Sequence, residues 1–110
     1  MRIELVYFAG CPSYARFLPR LRELLAQVEV DAEVDLRRVE SPDAAVTERF
    51  LGSPTVRVDG VDVEPAAAER DDFGLKCRLY RTEQGLQGTP PDALVLGAVR
   101  AAASRARGEN

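Results

Sequence analysis

The order in which two apolar periodicities follow one another most constrains how this chain can fold. Residues 2–8 (RIELVYF) alternate at period two, are rich in β-formers and carry apolar side chains on both faces, as a central strand requires. Residues 12–29 switch to helical spacing. Phe17, Leu18, Leu21, Leu24, Leu25 and Val28 recur on one face, and Arg16, Arg20, Arg22 and Glu23 fill the other. Pro12 suits the first turn of that helix, and Pro19 inside it is expected to kink it. Residues 32–39 alternate again and predict a second strand. Ser41-Pro42-Asp43 opens a short helix, with Ser41 as cap, that ends near residues 50–52. Residues 55–58 (TVRV), the Asp59-Gly60 turn and residues 61–63 predict a hairpin that Pro65 ends.

Residues 66–88 sustain no period. The stretch 66–70 suits one or two helical turns, and Leu75, Cys77 and Leu79 alternate with Lys76, Arg78 and Tyr80 as in a short strand. Gly85 and Gly88 mark turns. Thr89-Pro90-Pro91-Asp92 starts a last helix with Thr89 as cap, and Leu94, Val95, Ala98 and Val99 form its stripe to about Arg105. Residues 107–110 are expected to fray. The order β-α-β-α-β-β, then α, predicts the α/β class. Helical crossovers make the first strands parallel, and the hairpin adds antiparallel pairing, so the sheet is mixed and covered by helices.

The 110 residues suit one domain over 1–110, and 45% hydrophobic with 30% charged residues is a globular composition. A net charge of −3 with interspersed signs argues against nucleic acid as a partner. The apolar run at 3–9 is too short to span a bilayer and contains Glu4, and no leader pattern precedes it, so no membrane partner and a cytoplasmic location are expected. Thiols in that compartment are normally reduced, so two cysteines read as reactive or buried thiols before they read as a staple. The absence of histidine removes imidazole metal sites, Cys–His pairs and Ser–His–Asp triads; two cysteines make a poor zinc site, and no metal is expected.

Cys11 then draws the attention. It follows a strand and stands at a helix start, where free N–H groups and the helix dipole favour a thiolate. Gly10 permits close approach of a substrate, and Arg16 lies one turn in. The plainer alternative is a small buried residue between strand and helix. Ser13 either donates to the thiolate or simply occupies the first turn. A phosphatase loop is rejected, because it separates cysteine and arginine by five residues and Cys11 and Arg16 are separated by four.

With Cys11-Pro12 at the first helix and Ser53-Pro54 before the third strand, the layout resembles the thioredoxin-like superfamily. The resemblance covers most of the chain and implies a β-α-β-α-β-β-α fold with residues 66–88 inserted before the last helix. It makes Cys11 the attacking cysteine and Pro54 a cis-proline facing it. Ser53 would offer its backbone N–H and C=O to an extended substrate. Pro12, Ser13, Tyr14, Ser53, Pro54 and Thr55 are the substrate-contacting residues it implies. Tyr14 stands where a resolving cysteine would, which puts exchange within a C-x-x-C motif in doubt. GCPSY, FLGSPTVRVDGVDVEP, DDFGLKCRLY and GTPPDAL further resemble a small bacterial thioredoxin-like group marked by an Asp-Phe pair (here Asp72-Phe73), some of which carry selenocysteine at the Cys11 position. Similar sequences are sometimes labelled alkylmercury lyase, but beyond two thiols and nearby acids this chain has no organomercurial-cleaving constellation.

The expected function is a thiol-dependent oxidoreductase in which the Cys11 thiolate attacks a disulfide, a peroxide or another soft electrophile, on a protein or a small molecule. No cofactor is expected to be bound. Cys77 either resolves the oxidised Cys11 or packs inertly between Leu75 and Leu79; in the second case glutathione or another small thiol is the reductant. The rivals are a non-catalytic binding module that uses the sheet edge at Thr55, and an arsenate or mercurial resistance protein. Asp71-Asp72 reads as surface or a cap, and Arg37-Arg38 as an exposed strand end.

Overall fold

In the computed structural model, which describes residues 1–108, β1 (Ile3–Tyr7) lies inside a four-stranded sheet. It is flanked by β2 (Val34–Arg38), in parallel with Leu5 opposite Leu36, and by β3 (Thr55–Val58), antiparallel with Leu5 opposite Val56. The short β4 (Val61–Asp62) turns back onto β3, which completes the order β2-β1-β3-β4. The described residues thus form a mixed α/β fold, as the periodicities predict. A helical crossover separates β1 from β2, and the Asp59-Gly60 turn joins β3 to β4.

The alternation of β1 sends Ile3 and Leu5 to one face and Val6 to the other. On the first face, α1 (Ser13–Gln27) and α3 (Asp92–Ala106) bury Phe17, Leu21, Leu24, Leu25, Val95, Val99 and Ala102 against Ile3, Leu5, Val56 and Val58. Each fully buried aliphatic side chain there contributes about 1.5–3 kcal/mol. On the second face, α2 (Pro42–Thr47) brings Ala45 and the following Phe50 onto Val6 and Val39. Ser41 caps α2 as expected, its Oγ accepting from the Ala44 N–H at 3.0 Å.

The structure departs from the expectations in several places. Pro12 is the N-cap of α1 rather than a residue of its first turn, whereas Pro19 lies within the helix as expected. Thr89 does not cap α3; Pro91 holds that place, and Asp92 in the first turn accepts from Arg20 Nε at 3.2 Å, tying α3 to α1. Arg37 is not simply an exposed strand end: it pairs with the buried Glu4 at 2.9 Å and with Glu48, supplying the charge that a carboxylate inside the sheet requires. Arg107 caps α3 and Gly108 follows with positive φ; the rest of the expected frayed end, 109–110, lies outside the described residues.

The stretch without a period contains a 3-10 turn at Pro65–Glu69 and a separate hairpin of β5 (Tyr80–Thr82) and β6 (Gly85–Gln87). The strand expected over 75–79 is only a single parallel bridge between Cys77 and Ser53. Its alternation is reversed: Cys77 and Leu79 face solvent, while Arg78 and Tyr80 are buried. Among the described residues no helix is long and apolar enough to cross a membrane.

Candidate functional site

Antiparallel pairing places the end of β1 beside the beginning of β3, with Val6 opposite Thr55. The turn that leaves β1 closes with the Cys11 N–H donating to the Phe8 carbonyl at 3.2 Å, which sets Cys11 beneath the start of α1. The approach to β3 supplies Ser53 and Pro54, joined by a cis peptide bond. Cys11 is wholly buried there, and its thiol donates to the Ser53 carbonyl at 3.5 Å. Two segments far apart in the chain thereby meet at one end of the sheet.

Residues 76–78 lie across this meeting point. The Ser53 N–H donates to the Lys76 carbonyl at 2.8 Å, and the Arg78 N–H donates to the Ser53 carbonyl at 2.9 Å. Cys77, held between these bonds, donates its thiol to Cys11 Sγ at 2.8 Å, 66 positions away in sequence. A disulfide bond is about 2.03–2.05 Å long, and both cysteines are free thiols. The inert packing of Cys77 between Leu75 and Leu79 is therefore corrected: its side chain points out of the core and onto the Cys11 sulfur.

A polar clamp holds the segment. Arg78 is buried and reaches Asp62 at 2.7 and 3.0 Å, Glu64 at 3.0 Å and Thr55 Oγ1 at 3.0 Å, with its guanidinium 4.5 Å above the Tyr80 ring. Burial alone would lower its pKa, but the two carboxylates keep it above the ordinary arginine value. Tyr80 donates to the Pro54 carbonyl at 2.5 Å, and burial raises its phenol. Gly52 makes the close approach possible: it has φ +123°, and a Cβ on it would sit 3.0 Å from both the Lys76 carbonyl oxygen and Arg78 Cβ. Sequence reasoning missed this clamp. Its one signal was Asp62-Val63-Glu64, where alternation puts both carboxylates on one side and Val63 in the core.

The electrostatics separate the two thiols. Burial pushes the Cys11 thiol up, but hydrogen bonds from Cys77 and from the backbone and hydroxyl of Ser13 outweigh it and leave it below the ordinary cysteine value. The Ser53 hydroxyl is buried with no hydrogen-bond partner among the described residues. Cys77 is raised, first by its hydrogen bond to Cys11, then by burial and by the Cys11 charge. Arg16 donates to Ser13 Oγ at 3.4 Å, so it acts on Cys11 through that hydroxyl.

The remaining candidates divide. Pro12 is exposed beside Cys11, and Tyr14 stacks on Tyr7 with ring centroids 4.0 Å apart. Pro54 is buried. Thr55 is fully buried, and its hydroxyl donates to the Gly52 carbonyl at 2.6 Å, so it offers nothing to a substrate. β4 pairs only with Arg57 and Val58, and at Thr55 the cover is Arg78, which donates to its hydroxyl at 3.0 Å. The backbone groups of Ser53 expected to receive a substrate are taken by the chain's own residues 76–78. Asp71 and Asp72 are exposed surface, as expected, and Arg70 at 2.6 Å and Lys76 at 2.8 Å hold the Asp72 carboxyl well below the usual range. Among the described residues no group of three or more His, Cys, Asp or Glu side chains is arranged to hold a metal ion. No family model, no curated protein and no solved structure matches the chain.

Proposed function

We propose that this protein is a thiol-dependent oxidoreductase of thioredoxin-like fold that cycles Cys11 and Cys77 between dithiol and disulfide. The strand order β2-β1-β3-β4, with the cysteine at the first crossover and the cis-proline before β3, supports the fold reading. The 2.8 Å separation of the sulfurs carries the chemistry. In the reaction the Cys11 thiolate attacks a hydroperoxide oxygen and expels hydroxide or an alkoxide. Cys77 loses its proton and attacks the resulting sulfenic acid at Cys11. That step forms the Cys11–Cys77 bond and releases water. Two external thiols, glutathione or a similar small thiol in a reducing cytoplasm, return the pair to dithiol.

The burial of Cys11 beneath Cys77, and the occupation of the Ser53 backbone, favour a small electrophile over an extended peptide. They also weaken the binding-module reading, whose edge at Thr55 is covered. The test is oxidation with about one equivalent of diamide, followed by thiol counting and peptide mapping. The expected result is a loss of both thiols within one monomer and a Cys11–Cys77 linked peptide. Cys11→Ser and Cys77→Ser should each abolish that product, and Cys11→Ser should abolish thiol-dependent peroxide reduction. Retention of both free thiols under oxidation, or full activity in Cys11→Ser, would sink the proposal.

A further inference from the structure

The two sulfurs differ in what can reach them. Cys11 has no exposed surface, being enclosed by Ser53, the start of α1 and the Cys77 side chain. Cys77 is exposed, on a segment whose neighbours Arg78 and Tyr80 point inward. Thiol–disulfide exchange needs the incoming thiolate to approach one sulfur from the side opposite the other, along the S–S axis. For attack on Cys11 that side is packed protein. For attack on Cys77 it is solvent.

We infer that external thiols open the Cys11–Cys77 disulfide from the Cys77 side, with Cys11 as the leaving thiolate. The inference rests on the redox pair proposed above and assigns the site at which its reductant acts. In the first step RS⁻ attacks Cys77 Sγ, an R–S–S–Cys77 bond forms, the Cys11–Cys77 bond breaks and its electron pair stays on Cys11. In the second, another RS⁻ attacks the sulfur of the R group, RSSR leaves, and Cys77 takes a proton from water. The two thiols are oxidised to RSSR, and the protein disulfide is reduced to the dithiol. The Ser13 backbone and hydroxyl, whose hydrogen bonds do not depend on the Cys77 thiol, lower the Cys11 thiol and favour it as the leaving group, since a thiol of lower pKa leaves faster. This polarity is set by the 76–78 segment, which shields one sulfur and presents the other.

The experiment uses the whole oxidised protein with reduced glutathione as the probe. After millisecond mixing the reaction is quenched with acid, free thiols are capped with a maleimide, and peptides are mapped by mass spectrometry. Glutathione on Cys77 with the cap on Cys11 is the expected pattern. Glutathione on Cys11 with the cap on Cys77 overturns the inference and leaves the redox pair standing. Failure of the protein to form the intramolecular disulfide at all overturns both, and is seen before glutathione is added. A second measurement guards against migration of the adduct. With a bis-nitrobenzoate disulfide as probe, the Cys77 thiol of Cys11→Ser should react at least about tenfold faster than the Cys11 thiol of Cys77→Ser. Serine keeps a side chain of nearly the same size over Cys11. Equal rates, or a faster Cys11, count against the inference.

Discussion

Cys11 stands on an apolar framework, and Cys77 hangs from a polar clamp. Beneath Cys11, α1 and α3 pack against one face of the sheet through aliphatic side chains such as Leu21, Leu24 and Val56, all at or near zero exposure. Beneath Cys77 the contacts are the charged hydrogen bonds of Arg78 with Asp62 and Glu64, the Tyr80 hydroxyl, and two backbone bonds to Ser53. Apolar packing is non-directional and shared over many contacts, so it fails gradually and globally. The clamp depends on one guanidinium whose loss strands two carboxylates, so it fails locally and at once. The comparison implies that the sulfur presented to solvent can be detached while the sheet stays folded.

The largest effect is expected from separating the two supports. Arg78→Met should weaken attachment of the segment by about 3–5 kcal/mol and slow oxidative closure of the Cys11–Cys77 bond at least about tenfold, because the sulfurs lose their enforced proximity. Leu21→Ala should lower global stability by about 2–5 kcal/mol, with closure in the folded fraction unchanged. Denaturant unfolding and stopped-flow oxidation read the two quantities separately. If each variant moves both together, the regions are one cooperative unit.

Gly52→Ala gives a smaller effect at the joint between the regions. It forces an L side chain into a positive φ and against the Lys76 carbonyl, a cost of about 1–3 kcal/mol. Faster hydrogen exchange at the Ser53 and Arg78 amides, with β1 amides unaffected, is the expected signature. Uniform acceleration would remove the distinction.

The subtlest readout is thiolate absorbance against pH. In the reduced wild type, Cys11 should ionise below the ordinary cysteine range as pH rises and Cys77 above it, giving two separated steps. In Arg78→Met the steps should draw together, since each shift includes a contribution from the other sulfur. A single unperturbed step in the wild type would mean that the sulfurs do not communicate.

Where local pattern and burial agreed, the sequence was legible. The alternation of residues 2–8 and the helical stripe from Phe17 to Leu25 each point one apolar face at a core, so β1, α1, the β3–β4 turn and the Ser41 cap follow from short-range rules. The same rules misled at 75–79. Leu75, Cys77 and Leu79 look like an inward face, yet Arg78 and Tyr80 are the buried side chains, because carboxylates from β4 and its sequel compensate a buried cation. Pairing between distant charges leaves no periodic trace. The resemblance opens the Ser53 backbone to a substrate, whereas residues 76–78 of the same chain occupy it through backbone hydrogen bonds that no local pattern records.

By itself the sequence determined the α/β order of elements, the placement of Cys11 at a strand-to-helix turn, and the exclusion of histidine chemistry, because each follows from residue identity or from contacts close in the chain. Only the tertiary structure decided that Cys77 meets Cys11 and which sulfur faces solvent. Those depend on a segment 66 positions from Cys11 folding back onto Ser53, and on Arg78 finding Asp62 and Glu64. The energies of such contacts exist only once the sheet has brought its distant parts together.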